Sequence, residues 1–134
     1  MSRIVLDTDV WSFAFKGDSR AALYGKHLVD KTPCITFATI GELYLWAELR
    51  NWGAERRNEL SRAIRRYVVL TWDDVTARQW AKVRAERQRI GNPIAAQDAW
   101  IAACAIRHGL PLVTHNTDHF AEISDLLLLT AQKR

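Results

Sequence analysis

Four acidic side chains and one amide carry the possibility of chemistry in this sequence: Asp7, Glu42, Asp98, Asp118 and Asn116. Asp7 directly follows the apolar run Ile4-Val5-Leu6, and Asn116 and Asp118 come just after Leu112-Val113-Thr114. Short apolar runs of this kind read as strands buried on both faces, which puts all three residues at the ends of strands. Asp98 shares a helical stripe with Ile94, Ile101 and Ala105 that is otherwise apolar. A carboxylate there is costly to bury unless a cation or hydrogen-bond donors satisfy it. Asp7 and Glu42 also have local readings. Asp7 suits the N-cap of a following helix, and Thr39-x-x-Glu42 has the spacing of a capping box. Gathered in one place, these carboxylates repel one another, and a divalent cation relieves the repulsion. Mg2+ and Mn2+ take hard oxygen ligands and keep several waters. They activate water and stabilise charge on a phosphoryl group during in-line displacement. The expected chemistry is phosphodiester hydrolysis.

Two other patterns compete for the same residues. His115 and His119 stand four apart, as in a zinc pair, but no third ligand presents itself nearby, so zinc is not expected. Asp7-Thr8-Asp9 after an apolar strand has the D-x-D form of the haloacid-dehalogenase phosphatases, with Asp7 as nucleophile and Asp9 as general acid. That chemistry offers no use for Glu42 or Asp98 and lacks a convincing downstream lysine.

Positioning these groups falls to a chain that alternates short apolar runs with helical stretches. Strands are expected over residues 3–8, 33–36, 67–71, 112–114 and 126–129. Helices are expected over 10–15, from 18 or 19 to 29, and over 39–52, 55–66, 72–90 and 92–108, with a helical turn over 118–123. Gly17, Gly53, Gly91 and Gly109 serve as stops, and Asn92-Pro93 reads as the cap and first residue of the last long helix. In the 72–90 helix, Val75, Trp80, Val83 and Ile90 are expected to face inward. The alternation implies an α/β fold, a parallel sheet with helices on both faces. Ligands of such sheets bind beyond the carboxyl ends of the strands. Glu42, early in the helix after the second strand, belongs at that edge. The helix of Asp98 follows another helix, and from sequence it could begin at either edge.

The 134 residues fit a single domain, 1–134, with no linker or internal repeat. Apolar residues make up 49% and charged residues 25%, a composition able to bury a core without disulfides or metal. Cys34 and Cys104 lie in apolar stretches and read as buried free thiols of a reducing compartment. No leader opens the chain, and no apolar run approaches the roughly 18–20 residues of a membrane span, so a cytoplasmic protein without a membrane partner is expected. Most of the six Trp are expected in the core and the rest at a partner surface. The net charge of +4 is uneven: residues 50–66 and 78–89 each carry +4, and the remainder −4. Two basic helices against an acidic remainder suit a protein that grips a polyanion and works on it with carboxylates. Either stretch alone is an ordinary solvated face.

Four motifs occur in order: Ile4-Val5-Leu6-Asp7-Thr8-Asp9, Thr36-x-x-Thr39-x-x-Glu42-Leu43, Ala96-x-Asp98-Ala99-x-Ile101-Ala102-Ala103 and Leu112-Val113-Thr114-x-Asn116-x-x-x-Phe120. Over residues 3–129 the chain resembles a PIN-domain ribonuclease, and among these the VapC-type toxins of type II toxin–antitoxin systems. The resemblance implies a five-stranded parallel sheet of order 3-2-1-4-5, dependence on Mg2+ or Mn2+, and cleavage of single-stranded RNA by metal-activated water. It implies that Asp7 and Asp98 ligate the metal, that Glu42 holds it through water or orients the nucleophile, and that Thr8 and Thr114 support the acids with their hydroxyls. It also implies a homodimer and a cognate antitoxin whose tail covers the site, in a groove that exposed Trp on the early helices would suit. The sequence departs from the family pattern twice. Most relatives carry Asn where this chain has Asp9. The fourth acid of many members falls at Asn116, which offers a carbonyl oxygen, with Asp118 two residues on to supply charge. A non-catalytic RNA-binding module of the same fold is the reading that Asn116 leaves open.

Overall fold

Alternation along the central strands decides the architecture. In the computed structural model, which describes residues 2–131, β1 spans Ser2–Leu6, β2 Lys31–Thr36, β3 Val68–Leu70, β4 Leu112–Val113 and β5 Leu128–Leu129. They pair in parallel in the order β3-β2-β1-β4-β5, the order the resemblance implied. Ile4 and Leu6 of β1, Ile35 of β2 and Val113 of β4 point to one face of the sheet. Val5, Cys34 and Leu112, their neighbours in sequence, point to the other. This is the period-two projection of a strand whose two sides are both covered.

The first face is closed by α1 (Thr8–Lys16), α3 (Phe37–Leu49) and α4 (Ala54–Ile64) through Val10, Trp11, Leu43, Ala47, Leu60 and Ile64. The second is closed by α5 (Asp74–Arg89) and α6 (Ala96–His108). Ala99, Ala102, Ala103 and Ala105 of α6 are fully buried, and their small side chains let that helix lie close against its neighbours. Cys34 and Cys104 are free and buried, as expected. No helix among the described residues is long and apolar enough to cross a membrane.

Several boundaries differ from the periodic reading, each for a local reason. Residues Ser19–Tyr24 form a 3-10 stretch that passes into the single turn α2 (Gly25–Leu28), not one continuous helix. Gly25 sits at the junction, where its low helix propensity weakens continuity, and Asp18 caps the 3-10 stretch through the Arg20 N–H. Helix α3 begins at Phe37 because Thr36 is its cap: Thr36 Oγ1 accepts from Thr39 N at 3.2 Å. The capping box at Thr39 therefore does not form, and Glu42 is released from that role.

Asp73 caps α5 through Thr76 N and Thr76 Oγ1, so the helix starts after Trp72. Its buried stripe is Thr76, Val83 and Arg87, while Val75 and Ile90 are exposed. The inward assignment holds for Val83 and, half-buried against the core, for Trp80; it fails at Val75 and Ile90, and it missed Arg87, which looks solvated in sequence. In the fold its guanidinium donates to the carbonyls of Asn92, His119 and Ala121 at 2.7–3.1 Å. That commitment also removes Asn92-Pro93 as a helix start, and α6 begins at Ala96 with Ala95 as cap. A short 3-10 turn, Thr117–Phe120, follows β4. Among the Trp, Trp11 is buried and Trp72, in the turn before α5, is the strongly exposed one; Trp46 and Trp52 are half-buried. The early helices thus do not offer fully exposed Trp.

Candidate active site

The ends of β1, β2 and β4 and the start of α6 deliver the parts of the site. Asp7 follows β1 and is the N-cap of α1, its Oδ1 accepting from Thr8 N at 2.8 Å. Its Oδ2 accepts from Thr114 Oγ1, just past β4, at 2.7 Å. The capping and functional readings of Asp7 therefore coexist, one on each oxygen. Thr8 Oγ1 lies 3.0 Å from Thr39 Oγ1, which ties the start of α1 to the first turn of α3, the helix that carries Glu42. The helix of Asp98 starts at the same edge of the sheet. Gln97 Nε2 donates to the Ala38 carbonyl at the head of α3, and Asp98 Oδ2 meets His119 Nδ1 at 3.3 Å. Asp98 is in the first turn of α6, where the helix N-terminus favours a negative charge.

The acids are electrically linked and short of countercharge. Asp7 is 5% exposed; burial first, and then the Asp9 carboxylate, hold its pKa well above the usual carboxylate range, with Asp98 adding to the effect. Burial also raises Asp9. Asp98 is raised by burial, eased by His119, and raised further by Glu42 and Asp9. Arg87 stands near enough to ease Asp98, yet its donors are occupied by backbone carbonyls.

The structure thus brings Asp7, Glu42 and Asp98 into one electrostatic group and sets Asn116 beside them. Asn116 N donates to Thr114 Oγ1 at 3.0 Å, and Asn116 Nδ2 donates to Asp9 Oδ2 at 3.0 Å. Asp118 is exposed on the 3-10 turn and forms no hydrogen bond with this group among the described residues. His115 and His119 turn to different partners, the Tyr24 hydroxyl and the Asp98 carboxylate. Asp9, read in sequence as a phosphatase acid and as an added charge where the resemblance implied Asn, belongs to the group as well. The D-x-D spacing marked it, but the contacts that give it meaning come from residues over a hundred positions away. Gln97 and Tyr24 left no local signal.

A PIN domain family model matches residues 4–126. The chain belongs to the PIN domain family. Among its relatives, the tRNA(fMet)-specific endonuclease VapC of Shigella flexneri is 29% identical over 126 residues, 94% of this chain and 96% of the relative. The protein of the same name from Salmonella typhimurium is 32% identical over 124 residues, 92% of this chain and 93% of the relative. A solved structure from the VapBC family of toxin–antitoxin systems, VapBC-5 of Mycobacterium tuberculosis, superposes with a TM-score of 0.70 at 25% identity, covering 99% of this chain and 100% of that one. The match disfavours a haloacid-dehalogenase reading of Asp7 and Asp9. In this PIN domain the four motifs sit along one edge of the sheet, where Asp9 and Asn116 touch.

Proposed function

We propose that this PIN domain is the ribonuclease toxin of a type II toxin–antitoxin pair, cleaving RNA phosphodiesters with the help of Mg2+ or Mn2+. The observation that carries the reading is the group of buried Asp7 with half-buried Glu42 and Asp98, linked by repulsion, in which, among the described residues, only Asp98 meets a side chain able to carry positive charge, His119. The group's donors are hard carboxylate oxygens, which suit a small divalent ion. Among the described residues no three acids, imidazoles or thiols form a ready ligand set. Asp7 and Asp98 would hold it, Glu42 would reach it directly or through water, and Asn116 Oδ1 or Asp118 would complete the set. When bound, the ion supplies an activated water and offsets charge on the phosphoryl oxygens.

The chain's own groups do the rest. Thr114 fixes Asp7 from one side and the Thr8 N–H from the other, so the carboxylate is aimed before any ligand arrives. His119, on the Asp98 carboxylate and more than half exposed, stands where a phosphate would approach.

Surface chemistry supports a reading of the partners. A groove of about 370 Å³ between α1 and α4 is lined by Trp11, Phe15, Arg62, Arg66 and Tyr67, and Arg56 stacks over Phe15 and Trp52. Basic groups over aromatic rings suit an acidic amphipathic segment, the form we expect for the cognate antitoxin tail. Exposed Leu45 and Leu49 on α3 offer an apolar face to a second copy in a homodimer. An RNA substrate would suit a cytoplasmic protein.

The test is cleavage of total RNA by purified protein, with tRNA(fMet) as the first defined substrate and Asp98→Asn alongside. Discrete fragments that need Mg2+ or Mn2+ and vanish in the variant support the reading. RNA left intact in both ions by antitoxin-free protein, across varied RNA, would sink it.

A further inference from the structure

Neither residue that the sequence offered as a fourth acid fits that role well. Asn116 is uncharged, and Asp118 is exposed and outside the hydrogen-bonded group. Asp9 differs on both counts. It sits in the first turn of α1, and its charge acts on both Asp7 and Asp98. Three donors hold its carboxylate in place: Val10 N on Oδ1 at 2.6 Å, and His115 N at 3.1 Å with Asn116 Nδ2 at 3.0 Å on Oδ2. The donors are themselves fixed. The His115 ring is held by the Tyr24 hydroxyl and lies edge-on to Phe13. Asn116 N donates to Thr114 Oγ1, the hydroxyl that donates to Asp7. A continuous chain of bonds thus runs from Asp7 through Thr114 and Asn116 to Asp9.

We propose that Asp9 is the fourth acid of the active site, joining Asp7, Glu42 and Asp98 in holding the divalent cation, and that Asn116 is the positioning residue that aims it. The assignment rests on the metal-dependent reading above. The acid at 9 and the amide at 116 face each other across a single hydrogen bond, so exchanging them would keep the charge of the site. An acid at residue 9 without that amide would lose the one side-chain donor among the three that hold it, and an amide at 116 without that acid would leave the cluster one charge short.

The test uses the full chain freed of metal, with Mn2+ titrated by calorimetry and RNA cleavage measured in Mn2+. Asp9→Asn is expected to weaken Mn2+ binding by about 10–100-fold and to slow cleavage in proportion. The exchanged double variant, Asp9→Asn with Asn116→Asp, is expected to recover both to within about tenfold of wild type. Metal-free melting curves separate this from a structural role: an Asp9 that only braces the helix start would lower the melting temperature and leave Mn2+ affinity as it was. That result, or a double variant no better than Asp9→Asn, overturns the proposal, and so does an Asp118→Asn variant that loses more Mn2+ affinity than Asp9→Asn. Should Asp9→Asn fail to fold, the Mn2+ affinity of the double variant decides. A wild type that binds Mn2+ but cuts no RNA breaks the ribonuclease reading and leaves the assignment of Asp9 to the titration.

Discussion

Asp7 and Asp73 have the same local job and opposite surroundings. Each follows a strand at the carboxyl edge of the sheet, and each caps the next helix by accepting a backbone N–H. Asp73 also receives the Arg107 guanidinium at 3.0 Å and the Thr76 hydroxyl, and these partners hold its carboxyl well below the usual range. Asp7 receives a hydroxyl but no cation, lies buried beside two further carboxylates, and is held well above that range. A cap that only builds the fold is given a countercharge. On the proposed reading, a cap that also serves a ligand is left without one, and the deficit suits a cation.

The largest effect that would test this contrast is on catalysis. Asp7→Asn and Asp98→Asn are expected to reduce RNA cleavage by about 100-fold or more while the variants still melt cooperatively, whereas Asp73→Asn leaves cleavage at the wild-type rate. Equal losses at the two caps would erase the distinction. Next comes a purely structural cation. Arg87→Leu leaves three backbone carbonyls without their donor, at a cost of about 2–3 kcal/mol, read as a lowered denaturation midpoint. If stability is unchanged, the guanidinium is not the brace that its contacts describe.

A third effect is one of sign. In metal-free protein Asp7→Asn removes a buried repulsion and should raise the melting temperature; Asp73→Asn removes a charge that Arg107 matches and should lower it. The pH dependence follows the same division. Asp7, Asp9 and Asp98 are raised, so between the ordinary value of 3.8 and their raised values the fold binds more protons than the unfolded chain. Its stability then falls as pH rises through that interval. Asp73, and Asp18 lowered to about 2, act in the opposite sense, and their contribution is lost only as pH falls below the ordinary value. Metal-free wild type should therefore melt higher as pH drops from neutrality towards the carboxylate range, and lower again beyond it. Mg2+ should flatten the upper limb, and Asp7→Asn should shrink it. The smallest effect concerns the thiols. Burial pushes Cys104 up to about 12 and raises Cys34 as well, so both should react with a thiol reagent far more slowly in the native fold than after denaturation.

The sequence by itself determined whatever depends on neighbours a few residues apart. The apolar runs around Val5, Cys34 and Leu112 specified strands covered on both sides, and their alternation with helices specified the parallel sheet. Asp7 had to fall at a strand end, and Asp98 had to interrupt a buried stripe, because strand and helix periods are local properties of the chain. Caps were legible only in part. Thr36 outcompeted Thr39, and Asp73 capped a helix that the periodicity began at Trp72, since which hydroxyl or carboxylate reaches the first free N–H groups depends on where the preceding strand ends. The remainder required the fold. The helix of Asp98 could begin at either edge until packing on α5 and α3 set its direction. Arg87 looked solvated until three carbonyls from two loops surrounded it. Asp9 found Asn116 across 107 positions of sequence. Charge and hydrogen-bond pairing at such separations follow from which strands lie side by side, and only tertiary structure settles that.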